Sequence, residues 1–204
     1  MTTNTVTDVE TFREQIETKL TRTVNEFAQG KLSRELFQMI YERYSGQLSM
    51  IDKALATGNL DSVLLSGSGE ATIAMRDAYE GKARGVMVYH NRTGTVLDTL
   101  GTVDVPLSVL APILNRFSML MEEDQMIKPQ AKHVSDCQWV LFIAGEHTTI
   151  VTEFKNQPSP AQTRTMQRLH HDFEKANAGS FGRDLIDASK LALPFHVFIE
   201  RVRR

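Results

Sequence analysis

The sequence predicts an α+β fold: an antiparallel sheet flanked by helices and preceded by an N-terminal helical hairpin. Three features point there. Two leading segments space their apolar residues by three and four, the period of an amphipathic helix. Past Arg84 that period gives way to short β-branched and aromatic runs. The runs come in pairs joined by tight turns, and tight turns join antiparallel strands.

Residues 1–7 are polar and expected to be disordered. From Asp8, the residues Val9, Phe12, Ile16, Leu20, Val24 and Phe27 fall on one stripe, with Glu10, Arg13, Glu14, Glu17 and Arg22 opposite. Asp8 can cap the first turn by accepting from its amides, and Gly30 can end the helix in the left-handed region. Ser33 is the next N-cap candidate. Phe37, Ile40, Tyr41, Tyr44, Leu48, Ile51 and Leu55 make a second stripe, with Gly58 as its stop. Residues 8–58 therefore predict an antiparallel helical hairpin. A lone hairpin buries little, so its apolar edges should be covered by the rest of the chain or by a second copy. On this reading the hairpin is a dimerisation element, and Phe12, Ile16, Leu20, Phe37, Tyr41 and Tyr44 are the candidate interface.

Residues 59–69, with Ser66-Gly67-Ser68-Gly69, predict a linker. Residues 70–204 predict the α+β domain, ending in a helical tail. A short helix is expected from Glu70 to Glu80. Val86–Tyr89 and Thr95–Leu100 predict a β-hairpin, with Gly94 supplying a positive φ at the turn. Leu110, Ile113, Leu114, Phe117, Leu120 and Met121 predict a helix that either starts near Ser108 or bends at Pro112. His133–Ala144 is expected as one strand, Gly145-Glu146-His147 as a turn and Thr148–Phe154 as another strand. A helix from Ala161 should end at Gly179. A short helical piece is expected near Leu185, and Pro194, Phe195, Phe198, Ile199 and Val202 fit one face of a final helix.

Composition excludes several classes of function. The chain of 204 residues has a formal net charge of −2, which gives no long-range pull on nucleic acid or an anionic membrane. Its single cysteine, Cys137, permits no internal disulfide and fits a reducing, cytoplasmic setting. The N-terminal residues lack the pattern of a signal peptide. No apolar run approaches the roughly 20 residues needed to span a bilayer. Neither a nucleic acid nor a membrane is expected as partner.

No motif for catalysis stands out, and neither catalytic residues, metal nor cofactor is expected. Gly67-Ser68-Gly69 lacks the preceding strand and the third glycine of a dinucleotide fingerprint. His170, His171, Asp172 and Glu174 cluster on one helix, His170 and Glu174 sharing a face at ligand-like spacing, with Glu146, His147 and His133 as distant supplements; a solvated face is the expectation, because a metal needs three or four converging ligands. Cys137, beside Trp139, is expected to be a buried thiol, since no local base accompanies it. Met119, Met121 and Met126 could line an adaptable pocket or simply fill the core.

The stretch from Glu70 to Gly179 resembles the roadblock/LC7 family in the order and length of its elements. The matching pieces are Ala78-Tyr79-Glu80-Gly81, the strands Val86–Tyr89 and Val96-Leu97-Asp98, the helix Val109–Met121, the strands Trp139–Ile143 and Thr149-Ile150-Val151, and the helix through Leu169 and Phe173. The resemblance implies a profilin-like fold and a non-enzymatic homodimeric module that scaffolds a signalling complex or regulates a small GTPase. PAS and GAF sensor domains have a similar layout, which implies a small-ligand sensor as the alternative. A metal-dependent hydrolase using the His170 region is the third expectation.

Overall fold

Val9, Ile16, Ile40 and Ile51 explain why the two leading segments fold together: each is at most 1% exposed, sealed between the helices. Burying such side chains stabilises the pair by about 1.5–3 kcal/mol each. The computed structural model describes residues 2–57, 72–181 and 186–200. The linker expected at 59–69, its glycines, Gly58, Leu185 and Val202 lie outside the described residues. The chain divides into two units, Met1–Glu80 and Gly81–Arg204. Among the described residues, no helix is long and apolar enough to cross a membrane.

The first unit contains α1 (Thr2–Ala28), α2 (Arg34–Thr57) and α3 (Thr72–Tyr79). Helix α1 starts at Thr2, where disorder over 1–7 was expected, and Asp8 lies inside it instead of capping it. Extending a nucleated helix through polar residues costs little, and the buried Val9 pins this end. Gly30 takes a φ of 70° at the turn. Ser33 caps α2 as the sequence indicates, its Oγ accepting from the Leu36 amide at 3.2 Å. Helix α3 belongs with this unit and not with the sheet, so the boundary falls after Glu80 and not at residue 70. Two contacts tie it there: Arg43 Nη1 lies 2.9 Å from Met75 Sδ, and Arg76 pairs with Glu26.

The second unit is a five-stranded antiparallel sheet in the order β2-β1-β5-β4-β3. The strands are β1 (Lys82–His90), β2 (Val96–Gly101), β3 (Gln130–Ser135), β4 (Gln138–Ala144) and β5 (Thr148–Lys155). Gly94 has the expected positive φ, 69°. The single strand expected over His133–Ala144 is a hairpin, broken at Asp136–Cys137; this turn exposes Cys137, correcting the expectation of a buried thiol. Periodicity cannot reveal such a break, because apolar character resumes on the far side of the turn.

Helices cover both faces of the sheet. Helix α4 (Leu107–Glu122) packs Leu110, Ile113 and Phe117 against Val140, Phe142 and Val151. Its N-cap is Pro106, and Pro112 lies within it, so the helix begins before that proline. Helix α5 (Pro160–Phe181) lays Met166, Phe173 and Phe181 on the other face, against Val86, Val88, Leu141, Ile143 and Ile150. It runs through Gly179 to Phe181, because the Phe181 ring packs on His90, His147 and Phe173 and holds the last turn. A 3-10 turn (Ala188–Lys190) and α6 (His196–Glu200) follow, and Phe195 and Ile199 join the same core. Asn177 fastens this tail: its side-chain amide donates to the Ala192 carbonyl at 2.9 Å and accepts from the Ala192 amide at 2.8 Å.

Candidate functional site

The hairpin surface bears directly on the expected interface. The structure places its six residues differently. Ile16 and Tyr44 are interior, at 1% and 4% exposure, so they hold the hairpin together and are not surface residues. Phe12, Leu20 and Phe37 are half-buried against that core. Tyr41 is exposed. The stripes leave the interior near the turn, where Val24 and Phe27 are also exposed. There the rings form a ladder: Phe27 stacks on Phe37 with centroids 4.3 Å apart, and Phe37 lies 5.5 Å from Tyr41. Helical periodicity located this stripe but could not show where along its length the core ends.

One end of the sheet holds a buried polar network. Helix α5 lowers Glu174 onto the β4–β5 turn, where Oε1 accepts from the His147 amide at 2.9 Å and the Thr148 amide at 2.8 Å. Oε2 accepts from the Glu146 amide at 3.0 Å. The Thr148 hydroxyl donates to Glu174 Oε1 at 2.9 Å and lies 2.8 Å from His170 Nε2. With its proton committed to Glu174, Thr148 must accept from His170, so His170 carries its proton on Nε2. A side chain at Gly145 would strike the Glu174 carboxylate, which explains the glycine.

The electrostatics follow from this geometry. Burial pushes His170 down to about 4, against the opposing pull of the Glu174 carboxylate. Burial pushes Glu174 up, but His170 and the amides and hydroxyl of the turn outweigh it and hold the carboxyl below its ordinary range. Burial also holds His90 below the usual histidine value, with Arg92 and His147 acting in the same direction. The expected solvated face at His170 and Glu174 is therefore corrected: His170 is 2% exposed and the pair locks a turn. Thr148 has no exposure, so no substrate reaches this hydroxyl. Among the described residues, no three His, Cys, Asp or Glu side chains converge on a metal position.

The opposite end of the sheet opens into a cleft of about 610 Å³ lined by polar and apolar side chains. Its hub is Glu153 on β5, 2% exposed. Glu153 Oε2 accepts from the Asp104 amide at 2.6 Å, and Oε1 faces Arg84 Nη1 at 3.3 Å. Gln138 donates to the Asp104 carbonyl at 2.6 Å, so the chain at Asp104 is held from two sides. Cys137 stands on the β3–β4 turn and Ser135 at the end of β3, and Ala83 and Ile199 supply apolar wall. The sequence reading passed over Glu153. The available signal was a lone carboxylate inside a strand that is otherwise apolar or threonine up to its terminal Lys155, because buried glutamates are rare unless paired.

Met119 and Met126 are exposed, at 61% and 88%, and so line no interior pocket. No protein-family model, curated protein or solved structure matches the chain.

Proposed function

We propose that the protein is a non-enzymatic interaction module that pairs with a second copy of itself through the aromatic end of its helical hairpin and serves as a scaffold. The observation that carries this reading is the ladder Phe27–Phe37–Tyr41, whose outer rings Phe27 and Tyr41 stay exposed with Val24 while Phe37 is half-buried between them. Exposed clusters of aromatic residues mark association surfaces, where Tyr and Phe are enriched and charge is depleted. These four residues are uncharged, and a neutral patch can meet its own copy across a two-fold axis without like-charge repulsion. The resemblance in element order to roadblock/LC7 modules makes a small GTPase the first class of further partner to test, and a cytoplasmic setting agrees with the lone cysteine.

Sedimentation equilibrium tests the pairing. The wild-type chain is expected to show a concentration-dependent rise to twice the monomer mass, and Phe27→Ser with Tyr41→Ser is expected to remain monomeric with an unchanged circular dichroism spectrum. A wild-type chain that stays monomeric at several hundred micromolar defeats the reading, as does a double variant that still dimerises with wild-type affinity.

A further inference from the structure

Two opposite charges sit at the cleft beside one buried carboxylate without neutralising each other. Glu153 holds Arg84 by one oxygen and the Asp104 amide by the other. Arg84 and Asp104 both line the cleft. Among the described residues, no ion pair joins Arg84 to Asp104. Arg84 spends one N–H on Glu153 and is 43% exposed, so its remaining donors face solvent. Asp104 is likewise exposed and presents acceptors only.

We propose that this cleft binds a compact zwitterion of the α-amino acid type. The ligand carboxylate pairs with Arg84, whose planar fork suits a bidentate contact. The ligand ammonium is taken by the Asp104 carboxylate. Glu153 is a positioning residue: its buried carboxylate fixes the guanidinium and the Asp104 backbone relative to each other. A ligand carrying one charge would engage one side alone and forgo the contact on the other. Ala83 and Ile199 offer apolar wall to a short side chain, and the polar groups of Ser135 and Gln138 complete the lining. A site with few polar groups placed on an apolar wall is the usual form of small-molecule pockets. The site lies wholly within Gly81–Arg204 and stands apart from the hairpin reading.

The test is an amide-resolved NMR titration of the full chain with the common L-amino acids, and with propionate and ethylamine as alanine stripped of one charge each. At least one amino acid is expected to shift the amides of Arg84, Asp104 and Gln138 in a saturable way, while propionate and ethylamine do not. Arg84→Gln and Asp104→Asn, both at exposed positions, should each weaken binding about tenfold or more, and a thermal melt checks that Arg84→Gln, which unpairs the buried Glu153, leaves the chain folded. Glu153→Gln should weaken it as well, and a thermal melt separates that loss from unfolding. The proposal is overturned if no amino acid gives a saturable shift at millimolar concentration, if the singly charged controls bind as well, or if both surface variants bind like the wild type.

Discussion

The two units of the chain treat their aromatic residues in opposite ways. In Gly81–Arg204 the rings are enclosed: Phe117, Phe142, Phe154, Phe173 and Phe195 are at most 1% exposed. In Met1–Glu80, Phe27, Tyr41 and Tyr79 stand 37–44% exposed. The sheet has two helical covers, so most residues of β1, β4 and β5 find cover whichever way they point. The hairpin has one seam between two helices, and an aromatic a third of a turn away from that seam stays outside. An element with one buried seam thus leaves surface for association, whereas a two-sided sheet uses its surface on itself.

This contrast can be broken by mutation. The largest effect is expected in the sheet: Phe154→Ala, at the centre of a filled core, should cost about 3–5 kcal/mol in urea unfolding. A loss as small as that of a surface residue would mean that the sheet core is not closed.

The second effect is pH dependence, and it belongs to the same unit. His170 and His90 both have folded values below their ordinary one, so the folded state binds fewer protons than the unfolded state. Their contribution is complete above the unfolded value near 6.5 and is lost as pH falls below it, for His170 down to about 4. For His170 the shift corresponds to about 3 kcal/mol. Denaturant midpoints measured between pH 7 and 4.5 should fall, and His170→Gln should flatten that fall. Glu174 acts at lower pH: its depressed value adds stability above about 4.5 that disappears with further acidification. At neutral pH, Glu174→Gln should cost about 1–3 kcal/mol, because the turn amides lose a charged acceptor.

Smaller effects are expected in the hairpin. Ser33→Ala removes the cap of α2 and should lower the melting free energy by about 1 kcal/mol. Tyr41→Ser should change monomer stability by no more than about 0.5 kcal/mol while weakening self-association. If Tyr41→Ser unfolds the chain as Phe154→Ala does, the ring is part of a core and the contrast between the units is lost.

How much of this was legible in the sequence depends on the kind of pattern involved. The class was legible, because periods of 3.6 and 2 separate helix from strand: the hairpin, the β1–β2 pair and α4 stand where Val9–Phe27, Phe37–Leu55, Val86–Leu100 and Leu110–Met121 point. Boundaries governed by single contacts were not. Phe181 carries α5 past Gly179 through rings on the sheet, and Asp136–Cys137 splits a run that looks continuous. The polar sites were hidden for the same reason. Glu174 and Thr148 are 26 residues apart, and Glu153 and Asp104 are 49 apart, so only the folded sheet shows that they meet. His170 and Glu174 were visible as neighbours, but their burial was not, because the apolar faces beside them belong to other elements.

The central claim, that the hairpin's aromatic end meets its own copy, is tested most directly by site-specific crosslinking. In a Cys137→Ser background, a cysteine is placed at the exposed Gln38, beside the ladder, or at the exposed Glu10, near the other end of the hairpin. Under mild oxidation at a concentration where the protein is dimeric, Gln38→Cys is expected to yield a covalent dimer rapidly and Glu10→Cys is not. Equal crosslinking at both positions, or at neither, would contradict the account.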